Sequence, residues 1–382
     1  TPYSFAASWT LSAVPMFLLM GFITFHAGLP GGLFAAAKVL LARMPGGLAI
    51  SAIFACSGFA AVSGSSLACS AAMGRIAIPE MVNAGYRPAI AAGTVAAGGT
   101  IGALIPPSIL MIVYGVFAET SVLKVFLGGI TVGILTALAY SATVLLICWL
   151  RPDIIPRRLD NVRPENFHRI LRDTAPLIVL VILVFGGLFS GLFTATEAGA
   201  VGAAGAIAIS AVTGRLSRQV MQDSLMETLM TSASLFIIGI GAAMFTRFLG
   251  ITGLSGFISQ MVSAADLSYW QLMLVIVLIY LALGTFMEPF GALFITLPVL
   301  LPILNAEGIS LIWFGVLVVK LLEVGMITPP LGLNVFVIRN VAEKYVRTTQ
   351  IFAGVTPFIL ADLVVIALII AVPSLVLWLP GG

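Results

Sequence analysis

The sequence predicts an all-α polytopic membrane protein built from two inverted repeats, on three observations: the composition, a duplicated pattern of interruptions, and the placement of the basic residues. Of the 382 residues, 60% are hydrophobic and 9% charged, whereas about a quarter of the residues in soluble domains carry charge. Apolar runs such as 125–150 and 351–379 exceed the roughly 20 residues that cross a bilayer as a helix. The alternating segments of a membrane barrel are absent. Each repeat is expected to hold a re-entrant hairpin and a broken transmembrane helix.

The duplicated pattern lies at 58–114 and again at 284–337. In the first unit a small polar tip, Ser63-Gly64-Ser65-Ser66, interrupts an apolar run, and a break follows at Gly102-Ala103-Leu104-Ile105-Pro106-Pro107. The second unit has Gly284-Thr285-Phe286-Met287-Glu288-Pro289, then Gly325-Met326-Ile327-Thr328-Pro329-Pro330. Close helix packing accounts for one Gly-Ser-Ser segment, but not for tip and break occurring together twice. Paired interruptions in corresponding halves point to the binding site of a transporter.

Taken in order, Trp9 to His26 is expected to span, and a Leu-Pro-Gly-Gly break leads into an interfacial piece with Lys38 and Arg43. Residues 47–62 and 67–80 are each too short to cross comfortably. With the tip between them they predict a hairpin whose non-helical turn is buried in protein or faces a water-filled cavity. Residues 89–117 predict one crossing broken at 102–107, and 125–150 cross back. The loop 151–173, with Arg151, Arg157, Arg158, Arg163, Arg169 and Arg172, is cytoplasmic by the positive-inside rule.

Counting from that loop puts Lys38, Arg43 and Arg87 inside, and two further spans lead to Arg215 and Arg218, again inside. Residues 224–245 cross outward and 246–265 form a second interfacial piece. The second hairpin, 269–304, then enters from outside, and the loop after it, 305–308, has no basic residue. A crossing broken at 325–330 returns to Arg339, Lys344 and Arg347, and 351–379 exits. The two units are thereby inverted.

Several functions are excluded. The net charge of +3 is spread through short loops and makes no nucleic-acid patch. Cys56, Cys69 and Cys148 fall in apolar segments without C-x-x-C spacing, which predicts buried thiols and neither a disulfide nor a metal site. With two histidines, one of them, His168, expected in a loop, and no paired aspartates at one depth, an intramembrane enzyme lacks its machinery. A channel or a non-catalytic assembly subunit is the alternative to a carrier.

A helix broken at the midplane exposes N–H groups on one half and carbonyls on the other, so it attracts an anion and coordinates a hard cation. Ser65 and Ser66 add hydroxyls at the first tip. The second offers Thr285 and carbonyls near Met287, with Thr328 at the facing break. Oxygen ligation suits sodium. The candidates for holding a solute are Ser65, Thr100, Glu288 and Asn334.

Of the remaining ionisable residues, Glu323 is expected either to serve the second break or to pair with Lys320 one turn back. Arg75 is expected to snorkel, and Glu197 to act with Thr194 or Thr196 as a helix cap. Asp362 is expected to bind a neighbouring helix, in this chain or another subunit. Trp149, Trp270 and Trp378 are interfacial anchors.

At the motifs SGSSLACSAAMGRIAIPEM, GALIPPSI, FTATEAGAVGA, GTFMEPFGALFITLPVLLPI and ITPPLGLNVFVI the chain resembles the large membrane (permease) subunit of tripartite ATP-independent periplasmic (TRAP) transporters, over essentially its whole length. The resemblance implies a multi-pass protein of the bacterial inner membrane that imports an organic acid with sodium by an elevator motion. It implies two partners, a small four-helix membrane subunit and a periplasmic solute-binding protein, and no cofactor besides the coupling ions. Carried over by position, the first ion site takes Gly64, Ser65, Ser66, Gly102 and Pro106, and the second Gly284, Thr285, Met287, Gly325 and Thr328.

The organisation implied is a scaffold helix and arm at 1–46, transport halves at 47–121 and 269–340, scaffold helices, loop and second arm at 122–268, and a C-terminal scaffold helix at 341–382. Members carry two further helices ahead of the one near Trp9, so a truncated N-terminus is expected. Arg75 stands where members usually have a small residue.

Overall fold

The computed structural model describes residues 3, 5, 7–41, 43–156 and 167–381, apart from the side chains of 167–169 and 263. Arg157, Arg158 and Arg163, of the loop expected to be cytoplasmic, lie outside the described residues. The described chain is helical throughout, and eight of its helices are long and apolar enough to cross a membrane.

A 3-10 turn at Trp9–Ser12 leads into α1 (Ala13–His26), and α2 (Pro30–Leu41) is the first arm. The first hairpin is α3 (Gly47–Ser63) and α4 (Ser66–Asn83). The first broken crossing is α5 (Pro88–Thr100), a 3-10 turn at Ile101–Ala103, and α6 (Ile109–Phe117); α7 (Val122–Leu150) returns. Then come α8 (Phe167–Phe189), α9 (Ala195–Val212) and α10 (Arg218–Thr252), followed by the second arm, α11 (Leu254–Ala264). The second hairpin is α12 (Tyr269–Phe286) and α13 (Pro289–Ala306), and the second broken crossing is α14 (Leu311–Gly325) and α15 (Leu333–Val341). The chain ends with α16 (Thr348–Ala371) and the short α17 (Ser374–Leu377). Arm, hairpin, broken crossing and single helix thus occur twice in the same order.

Three expected boundaries move. The crossing expected to end at Phe245 runs on to Thr252 without a break: Gly250 stays helical, and it is Gly253, left-handed at φ 70°, that closes the helix. The final apolar run is two helices: Pro373 denies the backbone a donor, and α16 stops at Ala371. His168 lies in the first turn of α8 and not in a loop.

The repeats interlock. α16 of the second repeat crosses α5 of the first so closely that an added Cβ at Gly93 would fall on the Gly354 backbone, and one at Gly354 on the Ala89 carbonyl. Reciprocally, α7 of the first repeat packs on α14 of the second, where a Cβ at Gly128 would lie 3.0 Å from Val316. Small residues allow this approach in a membrane bundle, where van der Waals contact drives packing.

The helix cap and the buried thiols are as expected. Thr194 and Glu197 form a capping box at the start of α9. Arg75 is exposed at its end and lies 5.6 Å from the ring centre of Phe25. Cys56, Cys69 and Cys148 are buried, and Trp149, Trp270 and Trp378 are exposed at helix ends.

Candidate functional site: two hairpin tips seated on two helix breaks

The first tip is only two residues long. Gly64 closes α3 in the left-handed conformation, φ 58°, and Ser65, in extended backbone, caps α4 by accepting from the Ala68 N–H at 3.4 Å. The tip sits on its own break. The Ile109 N–H, the first of α6, donates to the Gly64 carbonyl at 3.4 Å. A Cβ at Gly64 would fall on the Pro107 carbonyl oxygen, and one at Gly102 would lie 2.9 Å from the Ser65 carbonyl oxygen. Pro106, buried, stands in the same break, where Ser108 caps α6 through the Met111 N–H.

The second tip reaches its break differently. Its contact lies one turn before the turn itself, where Gly284 on α12 meets Gly325 at the end of α14; a Cβ at Gly325 would be 2.5 Å from the Gly284 backbone. Thr285 is buried and its hydroxyl donates to the Ala282 carbonyl at 2.7 Å, while Thr328 donates to the Val324 carbonyl at 2.7 Å. Both hydroxyls retain lone pairs for a cation. Met287 and Glu288 turn the chain through extended backbone, and Pro289 opens α13.

A pocket of about 90 Å³ lies between the two tips. The first residues of three helices line it: Ser66 and Leu67 of α4, Ile109 and Leu110 of α6, Pro289 and Phe290 of α13. Three N-terminal helix ends, each with a partial positive charge, therefore open on one space, although the Ile109 N–H is taken by the Gly64 carbonyl and Pro289 has none. Ser65, Glu288, Glu323 and Met326 also line it, and among the described residues no Lys, Arg or His does. Among the solute candidates, Ser65 and Glu288 are on this wall. Thr100 is not: its hydroxyl, fully buried, is shared with Tyr140 at 3.1 Å and bonds the Ala97 carbonyl at 2.6 Å. Asn334 is buried off the pocket wall, and neither its Oδ1 nor its Nδ2 has a partner.

Asp362 binds a neighbouring helix, as expected, but the partner of Glu323 is not Lys320. Ser66 of the first tip donates to the Glu323 Oε1 at 3.1 Å. Lys320 instead forms a fully buried ion pair with Asp362 of α16. The partner of Asp362 is thus within the chain, and its second oxygen accepts from the Tyr140 hydroxyl of α7 at 2.7 Å. A polar chain runs Lys320, Asp362, Tyr140, Thr100, joining α14 to the edge of the first break. Periodicity on one helix favours a partner one turn away, so sequence reasoning missed this cluster. The signal for it was two opposite charges and a tyrosine in apolar spans, each needing a buried partner.

Residues 3–375 match the family model of the tripartite ATP-independent periplasmic transporter, DctM component. The chain belongs to this family. It is 35% identical to the C4-dicarboxylate TRAP transporter large permease protein DctM of Pseudomonas aeruginosa, over 98% of this chain and 86% of that protein. It is 34% identical to the isethionate TRAP transporter permease protein DctMQ of Oleidesulfovibrio alaskensis, over 98% of this chain and 58% of that one. Its fold is similar to that of the Alcanivorax borkumensis YdaH transporter, with a TM-score of 0.72 at 17% identity, covering 99% of this chain and 88% of that one. The chain is thus a TRAP large permease, a multi-pass protein of the inner membrane and not an enzyme.

Proposed function

We propose that this TRAP large permease imports an organic acid together with sodium ions by an elevator motion, taking the solute from a periplasmic binding protein and working beside a small four-helix membrane subunit. The observation that carries the reading is the convergence of three helix N-termini on a pocket bounded by both tips. Such ends bind an anionic group without a basic side chain. The two similar permeases named above carry organic acids in their names, a C4-dicarboxylate and isethionate. A carboxylate solute fits the same helix ends.

Each tip stands on its break at a glycine; Ser65 and Ser66 lie at the first tip, and Thr285 and Thr328 follow in sequence the two glycines, Gly284 and Gly325, that meet at the second. Oxygen-only ligation of this kind suits sodium. Each ion would tie a hairpin to its break and so set the helix ends around the anion. Two sodium ions with one monocarboxylate move net charge +1 inward, driven by roughly 2.3 kcal/mol per 100 mV of membrane potential.

For the moving body, packing favours a boundary other than the one expected from the resemblance. Lys320 on the second broken crossing is paired, fully buried, with Asp362 on α16, and α16 in turn crosses α5 at the Gly93 and Gly354 backbones. Separating a buried pair costs about 3–5 kcal/mol. We therefore assign α7 and α16 to the moving body with the hairpins, and leave α1, the arms and α8–α10 as scaffold.

The test is uptake by the reconstituted complex with loaded binding protein. Saturable, sodium-dependent and electrogenic uptake supports the proposal. Non-saturable flux indifferent to sodium supports a channel, and uptake that follows a proton gradient overturns the sodium sites.

A further inference from the structure

The pocket poses an electrostatic problem, because two carboxylates and no basic side chain line a site for an anion. Glu323 is the sharper case. Its side chain is 1% exposed, its Oε1 has one hydrogen bond, from Ser66, and its Oε2 has none. Lys320, one turn back, is engaged by Asp362. A buried carboxylate without a counter-charge is costly, and inside a membrane such a group marks a functional site by default.

We propose that Glu323 is the charged ligand of a coupling cation held at the first hairpin tip, a role that rests on the reading of the tips as sodium sites. The other ligands of that tip are neutral carbonyls and hydroxyls, which bind a monovalent cation weakly without a nearby negative charge. The Ser66 hydroxyl has two lone pairs, so on rotation it faces the same cation that Glu323 Oε2 meets. Met326, whose sulfur lies 3.5 Å from the Ser66 hydroxyl, is a soft donor and adds nothing to a hard ion. A single buried carboxylate suits a monovalent ion; calcium sites gather more oxygen ligands and more charge.

Two consequences follow. Ser66 belongs to the first repeat and Glu323 to the second, so one cation there ties both repeats together. Its charge also neutralises the carboxylate on the pocket wall, so the anion binds after the cation. Ordered binding of this sort prevents the loaded core from moving with one partner alone.

The test is thermal unfolding of the intact complex in sodium chloride against choline chloride at constant ionic strength, with no solute present. Wild type is expected to gain stability with sodium. Glu323→Gln should need at least roughly tenfold more sodium for half-maximal stabilisation. In choline it should unfold no earlier than wild type, since the uncompensated charge is gone; a purely structural role for Glu323 predicts earlier unfolding instead. If wild type responds to sodium and Glu323→Gln has the same half-maximal concentration, this inference fails while the proposed function stands. If wild type does not respond at all, the sodium reading itself fails. Should Glu323→Gln not accumulate, Glu323→Asp decides: withdrawing the carboxylate by one methylene should raise the sodium requirement several-fold, and an unchanged requirement overturns the assignment.

Discussion

The first hairpin turns through a left-handed glycine, Gly64, and a capping serine, whereas the second turns through two extended residues, Met287 and Glu288, and a proline. The first touches its break at the turn itself; the second touches it one turn earlier, where Gly284 meets Gly325. The difference extends to the hydroxyls. That of Ser66 reaches across to Glu323 in the other repeat, while that of Thr285 bonds within its own helix. Related units therefore need not keep the same turn chemistry. They keep a glycine at the point of contact, because only there does backbone meet backbone.

The largest expected effect is one that should not distinguish the tips. Asp362→Leu strands Lys320 in the core and should cost about 3–5 kcal/mol, whereas Lys320→Met with Asp362→Leu should recover most of that loss. Thermal unfolding of the purified complex checks both. If the double variant is no better than the single, the pair is held by more than its own charges.

Next comes the comparison itself. Gly64→Ala combines a left-handed backbone, costing about 1–2 kcal/mol for an L residue, with a Cβ on the Pro107 carbonyl. Gly325→Ala meets only the crowding, about 1–3 kcal/mol. Gly64→Ala should therefore lower the unfolding temperature more, and both should exceed Gly241→Ala, whose Cβ meets nothing within 4 Å. Equal effects at Gly325 and Gly241 would remove the second contact from the account.

The smallest effects concern the hydroxyls, read as the sodium concentration for half-maximal uptake. Ser66→Ala removes a proposed ion ligand and leaves Glu323 without its one hydrogen bond, so its requirement should rise by more than that of Thr285→Ala. Thr285→Ser keeps the hydroxyl and should stay close to wild type. A larger shift at Thr285 than at Ser66 would move the principal ion site to the second tip.

Much of the fold was legible because the signals are local. Glycine and proline clustered with small polar residues, rather than single ones such as Pro79, Pro176 or Pro357 that stay inside helices, mark an interruption, so both tips and both breaks could be read from short stretches, as could the capping box at Thr194 and Glu197. Arms and spans followed from apolar length and from the loops that carry arginine. The ends at Gly253 and Pro373 were overlooked although the same chemistry announces them, since a long apolar run hides one breaker within it. In the candidate site, Ser65, Ser66 and Glu288 were legible from their place on the tips. The shared pocket was not, because nothing in one repeat states which helix ends of the other it will face.

By itself the sequence determined the membrane class, the duplicated plan and the positions of the non-helical turns, all of which depend on backbone preferences and on the transfer of side chains out of water. Tertiary structure decided which charges meet. Lys320 has Glu323 one turn away on its own helix, yet binds Asp362, 42 residues on. That choice depends on how α14 and α16 meet, and α16 is in turn seated against α5 at Gly93 and Gly354. It frees Glu323 to face Ser66 and the pocket, a placement that no spacing along one helix specifies.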